Sequence, residues 1–226
     1  MMRALFAAAF VALAACSGGF GDRAREEFHA AVDAGAGVTV HVDNIAGSVN
    51  VGAWPRPSVD VRATKYGRDA AELRSVKIDV RRTGGDVYVK TSYEGLNHGS
   101  VRYRLSVPSD ASLQISNVAG AVDVAGITGD VTVETQAGAI AANVGRVEGE
   151  RTIDLRATTG AVDLSIAPDS SARVEASSTV GAITSTMPGV VASRENLVGA
   201  RANGLIGSGS GRIRVSTTTG AIRLRF

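Results

Sequence analysis

Gly120-Ala121-Val122-Asp123-Val124 returns as Gly138-Ala139-Ile140-Ala141-Ala142, Gly160-Ala161-Val162-Asp163-Leu164 and Gly181-Ala182-Ile183-Thr184-Ser185, and closes the chain as Gly220-Ala221-Ile222-Arg223-Leu224. The steps between these glycines are 18, 22, 21 and 39 residues. The last step is close to two periods, and Gly199-Ala200-Arg201 stands where a degenerate copy would fall. An earlier copy is Gly47-Ser48-Val49-Asn50-Val51. Between successive copies lies a second alternating phrase: Val131-Thr132-Val133, Ile153-Asp154-Leu155, Val174-Glu175-Ala176 and Ile213-Arg214-Val215. Each period of about 20 residues therefore holds two short strands and a Gly-led turn. Alternation puts one side of each strand inside. A single unit cannot bury that side, but stacked units can, rung on rung at about 4.8 Å.

The pattern predicts an all-β chain. Residues 111–226 form a parallel β-solenoid of five or six rungs, right-handed by the usual rule for parallel crossovers. Residues 25–110 form an N-terminal β region continuous with it. Val38-Thr39-Val40-His41-Val42, Val59-Asp60-Val61, Val76-Lys77-Ile78-Asp79-Val80 and Val101-Arg102-Tyr103-Arg104-Leu105 alternate as strands, and Thr83-Gly84-Gly85-Asp86 reads as a hairpin turn. These strands are expected to be antiparallel and to cap the repeat. Residues 23–31 fit a helix or, through Phe28, Ala30 and Val32, a strand.

Composition agrees. The chain has 27 Gly and 5 Pro among 226 residues, and a net charge of +2, which gives no reason to expect a nucleic-acid partner. Trp54 and the tyrosines, the last of them Tyr103, precede Arg104, so the repeats must pack small aliphatic side chains in thin layers.

The N-terminus carries a different signal. Arg3 precedes an apolar run from Ala4 to Ala15. That run is too short to span a bilayer and suits a secretory signal over residues 1–15. It ends in Leu13-Ala14-Ala15-Cys16, which resembles the lipobox of bacterial lipoproteins. The resemblance implies a lipid on Cys16, with residues 16–24 as a tether. Cys16 is the only cysteine, so no intramolecular disulfide is available. Ser17 lacks the acidic character of an inner-membrane retention signal, which favours the outer membrane.

The order Glu27-Phe28, Asn44-Ile45-Ala46-Gly47-Ser48-Val49, Gly52-Ala53-Trp54, Val101-Arg102-Tyr103-Arg104-Leu105 and then the serial glycine phrases resembles the bacterial adhesin-like family DUF4097 over nearly all of the mature chain. The resemblance implies a β-solenoid and supplies no catalytic residues.

Chemistry-bearing constellations are sparse. His29, His41 and His98 lack metal-ligand spacing. Ser208-Gly209-Ser210-Gly211 precedes a strand rather than a helix and reads as a turn. The sharpest alternative is a polysaccharide-acting β-helix enzyme. With strands stacked in chain order, Asp154 and Glu175 would sit about 5 Å apart, near the separation of a retaining carboxylate pair. Asp123 and Asp163 would lie two rungs apart on the other face. Against this, Glu134 falls beside Arg156, as on a solvated mixed-charge face. Arg212, Arg214, Arg223 and Arg225 would mark the terminal rung, either as a basic patch for anionic polysaccharide or as edge protection. The expectation is a non-enzymatic, lipid-anchored envelope protein, adhesin-like or scaffolding, with no cofactor and no catalytic or metal site. Its expected partners are the membrane through Cys16, envelope proteins and polysaccharide. A periplasmic sensor or assembly accessory is a further alternative.

Overall fold

The computed structural model describes residues 24–95, 99–194 and 197–226. Alternating sequence becomes strand almost everywhere in it. The N-terminal half holds β1 (Ala24–Asp33), β2 (Thr39–Ala46), β3 (Val49–Trp54), β4 (Ser58–Gly67), the helix α1 (Ala70–Ser75), β5 (Val76–Thr83), β6 (Asp86–Tyr93) and β7 (Ser100–Pro108). The repeats give β8 (Ser112–Ala119), β9 (Val122–Ala125), β10 (Val131–Ala137), β11 (Ile140–Asn143), β12 (Thr152–Thr159), β13 (Val162–Ser165), β14 (Ala172–Val180) and β15 (Ile183–Ser185). The chain ends with β16 (Val190–Arg194), β17 (Ala200–Ile206), β18 (Gly211–Thr219) and β19 (Ile222–Arg225).

Two sheets face each other. One runs β1-β4-β7-β3-β9-β11-β13-β19-β15, the other β16-β17-β14-β18-β12-β10-β8-β2-β6-β5. Each glycine phrase turns the chain from a strand of the second sheet into one of the first. The pairs β2/β3, β8/β9, β10/β11, β12/β13, β18/β19 and β14/β15 are thus rungs of a parallel solenoid. Between the sheets lies one thin core. Val131 and Val133 of β10 and Ile140 of β11 are fully buried, and Ile153, Leu155, Val162 and Leu164 repeat the pattern one rung on. Tyr103 is the largest side chain fully inside, and burial holds its phenol above the usual range.

The rungs join at a column of glycines. A Cβ on Gly120 would fall on the carbonyl oxygen of Gly47. One on Gly138 would strike the Gly120 carbonyl, and one on Gly160 the Gly138 carbonyl. Gly220 meets the Gly160 carbonyl, and Gly181 that of Gly220, in the same way. Gly120 also has φ of 130°, a conformation that side chains disfavour. Each glycine N–H donates to the next rung: Gly120 to Ala137 O at 2.8 Å, Gly138 to Thr159 O at 2.9 Å and Gly160 to Thr219 O at 2.9 Å.

Three residues before these glycines the strand carries an inward polar side chain. Asn117 Nδ2 donates to Gly120 O at 2.8 Å, Thr217 Oγ1 to Gly160 O at 3.0 Å and Ser178 Oγ to Gly220 O at 2.9 Å. Asn44 Nδ2 donates to Gly47 O and to Asn117 Oδ1, and Thr91 Oγ1 donates to Asn44 Oδ1. The corner carbonyls of Gly47, Gly120, Gly160 and Gly220 obtain donors from this column, whereas that of Gly138 does not, because Thr135 Oγ1 makes no hydrogen bond among the described residues and Ala157 stands at the donor position one rung on.

Four features differ from the sequence expectation. First, the last strands in the chain are not the last rung. β18/β19 inserts between β12/β13 and β14/β15. Second, Gly199-Ala200-Arg201 starts no rung, because β17 runs antiparallel to β14 and pairs antiparallel with β16. Third, not all N-terminal strands are antiparallel: β6 pairs parallel with β2, and β7 parallel with β3, forming a rung in front of the first glycine copy. β1, β4 and β5 are the antiparallel cap, and the ambiguous residues 24–33 are the strand β1. Fourth, α1 had no counterpart in the hydrophobic pattern. Its signal is a capping box, in which Asp69 Oδ1 accepts from Glu72 N at 2.8 Å and the Glu72 carboxylate accepts from Arg68 N.

The glycine column sets a direct expectation. Gly138→Ala drives a methyl group into a backbone carbonyl and should cost about 2–3 kcal/mol, the scale of core overpacking. Gly145→Ala, whose Cβ would meet only the Thr128 methyl at 3.9 Å, should stay within about 0.5 kcal/mol of wild type. Urea unfolding of the two variants measures the difference.

Candidate functional site

The outer face of the ten-stranded sheet is where the carboxylates point. Its central column reads Tyr88, His41, Gln114, Thr132, Asp154, Arg214, Glu175, Asn203 from strand to strand. Asp154 and Glu175 are therefore not neighbours. Arg214 stands between them, because β18 lies between β12 and β14. Two strand spacings, about 10 Å, separate the carboxylates. Arg214 Nε approaches Glu175 Oε2 at 3.6 Å, and Asp154 holds Arg156 through two hydrogen bonds of 3.0 and 2.6 Å. That pairing is the main reason the Arg156 guanidinium is held above its usual range. The catalytic pair expected from chain-order stacking is thus dissolved.

The insertion also corrects the reading of Arg212, Arg214, Arg223 and Arg225 as a terminal rung. They belong to an interior rung and protect no edge. Arg223 and Arg225 lie 3.6 and 4.0 Å from the carboxylate of Asp163. Glu134 does face Arg156 across β10 and β12, as the repeat spacing implies.

On the outer face of the nine-stranded sheet lies a shallow depression of about 690 Å³. Its floor is small: Gly52, Ala125 and Ala141. Arg104 borders it toward the N-terminal end, Asp163 and Arg225 toward the other, and Asp123 rises between them. Asp123 and Asp163 are two rungs apart, with Ala141 between them. Asn50 enters through the repeat rung β3 beside β9, and Arg104 enters because β7 pairs with β3 across more than fifty residues of sequence. No local motif announces that pairing, so the place of Arg104 on this surface was not legible.

The histidines are dispersed. His29 Nε2 lies 2.5 Å from Asp60 Oδ1, while His41 stacks on Tyr88 with ring centroids 4.4 Å apart. His98 and Cys16 lie outside the described residues. Among the described residues no three His, Cys, Asp or Glu side chains cluster as metal ligands. Arg151 is buried at the corner opposite the glycines. Its guanidinium donates to the carbonyls of Gly129, Arg146 and Ile127 at 2.6–2.8 Å, and burial pulls it below its ordinary pKa. Its partners are backbone carbonyls, and its role is to close the turn.

Fold and surface together define a class: a two-sheet β-solenoid that presents broad polar faces. The family model described as Toastrack, DUF4097, matches residues 39–225, and the chain belongs to that family. A solved structure of a candidate cell adhesion protein from Clostridium sporogenes superposes with a TM-score of 0.63 at 12% identity, covering 90% of this chain and 99% of that one. A candidate adhesin from Bacteroides fragilis matches at 9% identity with a TM-score of 0.34, covering 89% of this chain and 97% of that one. The likeness to the first is one of fold. No curated protein matches the chain.

The Asp154–Arg214–Glu175 column predicts its own variant. Arg214→Glu sets three acidic side chains in a row on neighbouring strands. It should destabilise the protein by roughly 1 kcal/mol at low salt, and the deficit should shrink in 1 M NaCl, where the Debye length falls to about 3 Å. Thermal melts at the two salt concentrations measure it.

Proposed function

We propose that this protein is a non-enzymatic, lipid-anchored component of the cell envelope that acts through its solenoid surface, as an adhesin-like or scaffolding element. One observation carries the reading: on the polar outer face of the larger sheet Arg214 is seated between the two carboxylates that would otherwise form a reactive pair. A face of that kind makes many weak polar contacts. The fold shared with a candidate cell adhesion protein is in keeping with it. The lipobox-like Leu13-Ala14-Ala15-Cys16 supplies the anchor in this reading, and the outer membrane is its destination.

The test is protease accessibility on intact cells, with wild type compared against Cys16→Ala. Wild-type protein is expected in the membrane fraction and digested from outside, and Cys16→Ala is expected to be released in soluble form. Protection until the outer membrane is opened would remove surface adhesion and leave periplasmic scaffolding or sensing. Membrane retention of Cys16→Ala would remove the lipid anchor.

A further inference from the structure

The two ends of the solenoid are finished differently. At one end the outermost strands are β1 and β5. Both are charged: β1 carries Arg25, Glu26 and Glu27, and β5 carries Lys77, Arg81 and Arg82 besides Asp79. Charge on an edge strand discourages the addition of another strand. At the other end the outermost strands are β15 and β16. β15, Ile183-Thr184-Ser185, has no charge. β16, Val190-Val191-Ala192-Ser193-Arg194, has one, at its last residue.

Among the described strands β16 pairs only with β17, so alternate backbone groups of β16 face outward. Apolar side chains gather at this same end. Of eight large hydrophobic residues exposed among the described residues, five lie here: Val180, Val191, Leu197, Val198 and Leu205. Val191, on β16 itself, is 72% exposed.

We propose that β16 is a dimerisation edge. Two copies of this chain join at these ends by antiparallel pairing of β16 with its counterpart, so that the ten-stranded sheet continues across a two-fold axis. Three features select a second copy in this arrangement. Antiparallel pairing of a strand with itself is self-complementary under two-fold symmetry. Centred on Ala192, it sets each Arg194 opposite Val190 of the other copy and keeps the two guanidinium groups at opposite ends, whereas parallel pairing would put them side by side. Head-to-tail stacking would bring Arg194 onto β5, where basic residues outnumber Asp79. The assembly therefore closes as a dimer and does not grow into a fibre. The inference goes beyond the envelope reading and does not depend on the anchor.

The test is disulfide trapping in the full-length chain. Two residues facing each other across a two-fold antiparallel pair have Cα atoms about 5 Å apart, within reach of a disulfide. Under mild oxidant Ala192→Cys should yield a species of twice the chain mass on a non-reducing gel. Wild type, whose only cysteine is Cys16, and Asp79→Cys on the opposite edge should not. Adding Val191→Lys to Ala192→Cys should lower the trapped dimer about tenfold, since charge on an edge blocks pairing. Ser193→Cys serves as a second probe if Ala192→Cys does not fold. The proposal is overturned if the folded variant stays monomeric, if Asp79→Cys or wild type crosslinks as strongly, or if residue 192 is captured by a different protein.

Discussion

Everything in this fold depends on the contact between stacked glycines. At each corner the carbonyl oxygen of one glycine occupies the place where a side chain on the next would begin. Backbones approach that closely only where Cβ is absent. The contact fixes three things at once: the rung spacing, the register of both strands in each rung, and the line along which the two sheets meet. It also creates a problem, because it buries carbonyl groups in a row. The inward Asn44, Asn117, Thr217 and Ser178, each three residues before its own glycine, answer it by donating to those carbonyls. The glycines and this polar column are one device. Removing the donors would leave buried acceptors unpaired, at about 1–3 kcal/mol each.

The same device explains why rungs need not stack in chain order. Every rung offers its neighbour a glycine and two inward aliphatics on its first strand, and every rung but β14/β15, where Ser185 takes the last place, offers two more on its second. A rung arriving late can insert wherever that pattern is open. β18/β19 does so, lying between strands that precede it by about 60 and 40 residues. What distinguishes the positions is the outward side chains. Stacked directly, β12 and β14 would put Asp154 beside Glu175 at about 4.8 Å, a like-charge pair that costs stability. With β18 between them, Arg214 separates the two carboxylates and pairs with Glu175, and on the other sheet Arg223 meets Asp163.

This is where sequence reading reached its limit. The period, the two strands per period and the corner glycines were legible, because each is a local pattern that every copy repeats. So was the hairpin at Gly84-Gly85, whose ends Thr83 and Asp86 face each other in the structure. Spatial order was not legible from periodicity, since equivalent copies are interchangeable in it. The information lay in the charges: two acidic rungs and one basic rung in the same phrase ask to alternate. Read by chain order, Asp154 and Glu175 looked like a catalytic pair and the arginines like an edge. Read by charge, the arginines belong between them. The pairing of β3 with β7 was hidden for a different reason, as a long-range contact between strands that carry no matching motif.

Insertion has a consequence for how the surface works. The inserted rung pairs with the strands on both sides of it, so the outward columns of β12, β18 and β14 exist only where all three strands lie side by side. The charge ladder is therefore a property of the finished solenoid and not of any single repeat. The charges are not opposed everywhere, since Arg173 faces Arg212 two residues along from the Glu175–Arg214 pair, so the columns differ in charge along the strands. The depression on the opposite sheet likewise mixes small and charged side chains, with Asp123 on β9, the strand between Gly52 of β3 and Ala141 of β11.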